Sequence, residues 1–300
     1  MFPRVPDQHK VGKPLIPNGL GVIYVLFSIV YLFSLEFFGL TSVNEIPVAL
    51  TLAVCILFGG FMGLLDDWMD LKWRYKAFMP LIASLPLVYL TYMNQNYYRT
   101  TISLPIVGVM IDFGLAYFFV IVPLIVMVVT NTVNQLGGLN GLETVCPAIV
   151  LVGLLAISAW LPFQFYVLVL GPLLFWLVIS ALNFQGKIFV GNSGSFAIGI
   201  TIAAFAVITD LKLGMTVSVI PFVINSILIL LTIFFIQKKA SVSFDGKKLV
   251  SDHRRSLVTL ITYKRPRTER QVVAIISFLV GACTAIAVLL EILLIIIPAL

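Results

Sequence analysis

The sequence predicts an all-α polytopic membrane protein of about nine transmembrane helices, and three observations carry that prediction. Of 300 residues, 60% are hydrophobic and 11% charged, with a mean hydropathy of +1.09; soluble domains are nearer half apolar and a quarter charged. Uncharged stretches of about 20 residues, each able to cross ~30 Å of hydrocarbon, recur along the whole chain. The basic residues, finally, cluster in alternate loops.

The predicted spans run over 19–40, 46–64, 76–93, 114–133, 144–161, 164–183, 193–209, 213–236 and 271–298. Residues 1–18 are polar and proline-rich with no apolar core, so no cleavable signal peptide is expected. Segment 94–113, containing "TTISLPIVGVMIDFG", is too short and interrupted to cross and reads as an external loop with β character. Cys55, Cys146 and Cys283 fall inside predicted spans without metal-ligand spacing and read as inert thiols. No internal repeat is visible, and 1–300 reads as one integral membrane domain.

With a cytoplasmic N-terminus, loops 1–18, 65–75, 134–143, 184–192 and 237–270 lie inside. Seventeen of the nineteen Lys and Arg then fall inside, counting Lys76 at a span's edge, and only Arg99 and Lys212 are outside. That is the positive-inside asymmetry. It also puts every polar stretch with chemical character on one face.

The first is "GGFMGLLDDWMDLKWRYK", Gly59 to Lys76. If the helix continues through Asp70, Asp66 and Asp70 share a face, as do Asp67 and Asp70. Like charges at that spacing repel, so a cation is expected among them: Mg²⁺, which favours carboxylates and substrate phosphates, or Lys72, Arg74 and Lys76. In "TNTVNQLGGLNGLE", Asn131 and Asn134 share a helical face at a span's end. Gly137, Gly138 and Gly141 then break the helix around Asn140 and Glu143. Either a plain turn or a ligand-binding loop fits. "FVGNSGSF" opens a span with a glycine-rich turn whose N–H groups suit a phosphate; capping by Asn192 or Ser193 is the alternative. Loop 237–270 carries ten bases, among them Arg254 and Arg255 beside His253. Arginine forks bind phosphate, although most of that charge serves orientation and anionic lipid. Glu36 can reach the outer interface, whereas Glu291 lies inside the last span, where it must be protonated or paired.

Together and in order, these stretches resemble the polyprenyl-phosphate N-acetylhexosamine-1-phosphate transferases. "HKVGKPLIPNGLG", "LLDDWMDLKWRYK", "NTVNQLGGLNGLE", "FVGNSGSFAIG" and "DHRR" look like that family's five cytoplasmic motifs. Gly137 and Asn140 stand where bacterial members usually carry aspartates, so the chain is more similar to the dolichyl-phosphate GlcNAc-1-phosphate transferases, and its length suits an archaeal plasma-membrane member.

The resemblance implies Mg²⁺, with Mn²⁺ as an alternative, on Asp66, Asp67, Asn134 and Asn192. It implies Asp66, Asp67, Lys76 and His253 as catalytic residues, with Lys76 on a phosphate and Asn134 also beside the pyrophosphate. Asn140 and Phe189 would lie at the uracil, and His253, Arg254 and Arg255 at the pyrophosphate and sugar. The expected partners are a UDP-sugar, a polyprenyl or dolichyl phosphate and membrane lipid, with a homodimer compatible and no nucleic acid. The expected reaction is attack by the lipid phosphate on the β-phosphorus, releasing UMP. Two departures stand out. Asn192 replaces the family's metal aspartate, and the family's tenth span, ahead of the first motif, has no counterpart here, so either the true start lies upstream or that helix is dispensable. Two other readings compete. "DDWMD" matches the prenyltransferase DDxxD, which needs a second acidic motif that the inner loops lack. A lipid carrier would favour mid-membrane polar groups, for which only Glu291 and Asn225 are candidates.

Overall fold

A short antiparallel hairpin, β1 (Arg4–Pro6) and β2 (Leu15–Pro17), leads into α1 (Gly21–Phe37) and α2 (Val48–Met69). Then come α3 (Trp73–Ala83) and α4 (Leu85–Met93), followed by the hairpin β3 (Thr101–Leu104) and β4 (Val109–Asp112). A π-helical turn, Tyr117–Ile121, continues into α5 (Val122–Gln135), and α6 (Leu142–Ser158), α7 (Tyr166–Phe184) and α8 (Gly191–Ile208) follow. Next are α9 (Lys212–Ser218), α10 (Ile220–Leu231) and a second π turn, Thr232–Ile236. The basic loop holds β5 (Ser243–Phe244), β6 (Leu249–Val250) and α11 (Leu257–Thr262), and α12 (Glu269–Ile296) is the last described element. This computed structural model describes residues 2–41, 47–104, 109–161, 164–237 and 240–296.

Each of the nine predicted spans corresponds to one helix or helix pair. By length and apolarity six helices among the described residues are able to cross a bilayer, seven if the bent pair α9–α10 is one span; α1 and α6, at 17 residues each, are apolar but shorter. One predicted span is interrupted at a single residue but stays a continuous crossing length, Trp73–Met93, and another is bent. α3 and α4 meet at Ser84, with Pro86 in the first turn of α4, where a missing N–H does no harm. α9 and α10 bend by 54° at Val219, just ahead of Pro221. The β character expected in 94–113 appears as β3–β4.

α8 is the central helix: every residue from Ser193 to Ile208 is buried. A helix apolar on all sides belongs in the interior, and small residues let its neighbours close on it. A Cβ on Gly63 of α2 would lie 2.2 Å from the Asn192 carbonyl oxygen, and one on Gly21 of α1 would lie 2.1 Å from the Gly194 Cα. That seam brings the acidic end of α2 to the N-terminus of α8. At the opposite end, Glu291 is paired: its Oε1 accepts the Gly214 N–H at 2.7 Å. Lys212 sits over the Tyr117 ring, 4.4 Å from its centroid, and pairs with Asp210 at 2.8 Å.

Candidate active site

Four of the five motif stretches meet around a cavity of about 370 Å³. Its lining includes Asp7, Asn18, Asp67, Asn134, Asn140, Glu143, Phe189 and Asn192. Beside it runs an apolar groove of about 390 Å³ between α3, α5 and α10, from Trp73 and Lys76 past Val128 and Val223 to Phe234. Asn134 and Gln135 line both.

α2 stops at Met69, and Asp70 follows with φ 46°, which turns its carboxylate away from the expected shared face into solvent. The cation among the acids is Lys76: its Nζ lies 2.8 Å from Asp66 Oδ1 and 3.6 Å from Asp70 Oδ1. Asp66 is 3% exposed; Leu71 N–H also donates to Oδ1, at 3.0 Å, and Oδ2 is buried with no hydrogen-bond partner among the described residues.

Asp67 faces the other way. It accepts the Asn192 N–H on Oδ1 at 2.8 Å and the Ser193 N–H on Oδ2 at 3.0 Å. An aspartate from α2 therefore caps α8, where a negative charge meets the positive helix end. This corrects the expectation that those N–H groups are open to phosphate, or are capped by Asn192 or Ser193. Gly191, with φ +71°, makes the approach possible, since a Cβ there would lie 2.6 Å from Asp67 Oδ2.

The second loop is organised by Asn183, which sequence reasoning passed over although a fully buried amide in an apolar helix is itself a signal. Its Oδ1 accepts the Gly141 N–H at 2.8 Å and the Thr144 hydroxyl at 3.0 Å, and its Nδ2 donates to the Ile188 carbonyl at 2.9 Å. Both polar turns are thereby fixed to α7. Glu143, in the first turn of α6, accepts from Asn183 Nδ2 at 3.5 Å. The N-terminal segment completes the wall: Phe189 N–H donates to the Pro17 carbonyl at 2.8 Å.

Asn134 Nδ2 donates to Asn192 Oδ1 at 3.1 Å, which joins two of the expected metal ligands. Asn131 instead ties α5 to α3, through the Ala77 carbonyl at 2.9 Å.

Residues 48–210 match the glycosyl transferase family 4 model. The chain is 30% identical over 293 residues, 95% of its length and 87% of the relative's, to a putative UDP-N-acetylglucosamine–dolichyl-phosphate N-acetylglucosaminephosphotransferase of Saccharolobus solfataricus. It belongs to glycosyl transferase family 4. The enzyme with that name in Dictyostelium discoideum is 24% identical, over 93% of this chain and 79% of its own. Phospho-N-acetylmuramoyl-pentapeptide-transferase of Bacillus subtilis is 29% identical, over 75% and 70%.

In this family 4 chain, Asp67, Asn134, Asn140, Phe189 and Asn192 line one cavity, and Lys76 stands in the adjoining groove with Asp66 behind it. His253, Arg254 and Arg255 are not in the cavity lining. The His253 ring is held between Asp252 Oδ1, 2.6 Å from Nδ1, and the Ser241 N–H, which donates to Nε2 at 3.2 Å. That bond to His253 holds the Asp252 carboxyl below its ordinary range. The Arg254 guanidinium stacks 4.2 Å from the centre of the Tyr263 ring. Among the described residues no three His, Cys, Asp or Glu side chains converge on a metal position. The wall does present oxygen donors, on Asp67, Glu143 and Asn192, with the unpartnered Asp66 Oδ2 nearby in sequence. This set fits a hard cation that completes its shell with water and substrate phosphate.

Proposed function

We propose that the chain transfers a sugar-1-phosphate, GlcNAc-1-phosphate, from a UDP-sugar to a polyprenyl or dolichyl phosphate, releasing UMP. The observation that carries this is the junction of the polar cavity with the apolar groove at Asn134 and Gln135. The donor is a charged nucleotide and the acceptor an amphiphile. Such a pair needs one polar and one greasy site meeting at the reacting phosphates. The names of the archaeal and Dictyostelium relatives support the same reaction.

In this reading the nucleotide occupies the cavity, with its base at Phe189 and Asn140 and its pyrophosphate beside Asn134. The lipid tail lies in the groove, and its phosphate meets Lys76, held in place by Asp66. Both reactants are anions, so charge neutralisation and alignment supply most of the rate. The second pKa of a phosphate monoester is near ~6, so the lipid phosphate is already mostly ionised at neutral pH and a general base contributes modestly. Asp67, with both oxygens on the N–H groups of α8, suits a positioning role. Mg²⁺, or Mn²⁺ in its place, is assigned to Asp67, Asn134 and Asn192 with Asp66 alongside; when bound, it supplies further neutralisation between the phosphates. His253, Arg254 and Arg255 are assigned to the pyrophosphate and sugar on their motif alone. The charge asymmetry supports a site on the cytoplasmic face, and the archaeal relatives support a plasma membrane.

The test is a membrane assay with UDP-GlcNAc and dolichyl phosphate. Magnesium-dependent release of UMP with a lipid-linked sugar product is expected; consumption of an isoprenoid diphosphate instead contradicts the reading.

A further inference from the structure

Asn225 stands in the apolar run of α10 and is 2% exposed. A buried amide inside a span needs partners, and the partners of this one belong to two different stretches of the site. Its Nδ2 donates to the carbonyl of Gln135, the last residue of α5, at 3.1 Å. Its Oδ1 accepts the N–H of Leu257, the first residue of α11, at 3.0 Å. Gln135 lies in the wall shared by cavity and groove, beside Asn134. Leu257 follows the His253–Arg255 segment after Ser256 alone.

That segment is built onto α11. Ser256 caps the helix by accepting the Thr259 N–H at 3.2 Å, and Thr259 Oγ1 in turn accepts the backbone N–H groups of Arg255 and Ser256, each at 2.8 Å. Arg254 stacks on Tyr263, the residue after α11. Within the same loop Leu249 bonds to Arg267 and Ser251 to Thr262. In a unit bonded to itself in this way, the start of α11 fixes where the arginines stand. The Asn225 amide ties that start to the end of α5. Its nitrogen faces an acceptor and its oxygen a donor, so turning it over would lose both bonds.

We propose that Asn225 is a positioning residue for the sugar-phosphate donor: it holds the His253–Arg255 segment in register with the Asn134–Gln135 wall, so that the arginines engage the pyrophosphate and sugar. This rests on the nucleotide reading of the cavity and on the arginine assignment given above. Asn225 lines neither the cavity nor the groove and acts through α11. The arginines stand outside the cavity lining, so the anchor of α11 sets the distance they must span. Guanidinium–phosphate bonding is bidentate and directional, and a misplacement of about 1 Å is enough to forfeit it.

The experiment uses the full chain in lipid nanodiscs with Mg²⁺. It measures, by calorimetry, binding of UDP-GlcNAc and of UMP, which lacks the β-phosphate and the sugar. Asn225→Leu removes both bonds at nearly constant size. Leu257→Pro removes the N–H from the other side, at a first helical position where proline is tolerated and after an extended Ser256 that suits it. Each is expected to weaken UDP-GlcNAc about tenfold, the effect of one charge-assisted hydrogen bond, and to leave UMP within about twofold. Arg254→Ala combined with Arg255→Ala should do the same. Adding Asn225→Leu to that pair should cost nothing further, because the residues act in series. A merely structural role would weaken UMP in proportion, or add its own loss to that of the arginines. Either result overturns the proposal, as does an unchanged UDP-GlcNAc affinity in any of these variants. If Asn225→Leu does not fold, Leu257→Pro decides by the same comparison. Failure of the wild type to bind either nucleotide would instead remove the nucleotide reading itself.

Discussion

Asp66 and Asp67 are adjacent, and about 100° of helical rotation between them gives them different partners. Asp66 turns inward to Lys76, and Asp67 reaches across to the backbone of α8. The acids were legible as a cluster, and so was the need for a cation among them. The capping role was not, because its partners lie 125 and 126 residues away and no local pattern encodes them. The role of Asn225 was missed for the same reason; it looks like an isolated mid-membrane amide until Gln135 and Leu257 are placed beside it. Asp67→Ala is expected to destabilise the protein by about 0.5–2 kcal/mol, the range for a lost helix cap, read as a lower unfolding midpoint in detergent. Asp67→Asn keeps an acceptor oxygen and should recover part of that stability but not the activity. Its fractional activity should be the same at about pH 6 and about pH 8.5, since a base role would make the loss pH-dependent.

At the scale of elements, the α2–α8 seam aligns the site. Gly63→Val would drive a side chain into the backbone at Asn192 and Ser193, which cannot yield as a flexible side chain would. We expect a loss of about 1–3 kcal/mol, the range for overpacking, together with loss of activity, because Asp67 is displaced from α8. Gly281→Ala on α12, where a Cβ meets nothing within 4 Å, is the matched control and should leave both unchanged. Apolar length revealed the helices but not their breaks. Pro86 and Pro221 sit in uninterrupted apolar runs, where proline at a first helical turn and proline inside a helix read alike. Yet the break at Val219 sets the course of α10, and with α5 it makes the groove. Val223 lies on the part of the groove shared with a second apolar hollow that continues past Ile121 and Met215. Val223→Trp should raise the KM for a long lipid phosphate several-fold while leaving the KM for the UDP-sugar unchanged. A soluble short-chain acceptor phosphate should be insensitive to it.

Across the whole molecule, composition and the order of five short motifs were enough to read the architecture, because a bilayer constrains element lengths so strongly. What they left open is how the loops divide the chemistry. Five of the predicted site residues line the polar cavity, Lys76 and Asp66 belong to the groove side, and His253 and Arg254 pack within the basic loop. Motif order carries no information on that partition, which depends on which helix ends are neighbours in space. The central claim is that two anionic substrates meet where cavity and groove join, and that phosphorus, not only sugar, crosses between them. Transfer from UDP-GlcNAc radiolabelled at its β-phosphate, in proteoliposomes containing dolichyl phosphate, tests it most directly. The label should appear in the lipid product with unlabelled UMP released. Label retained in released UDP, with sugar alone on the lipid, would contradict it.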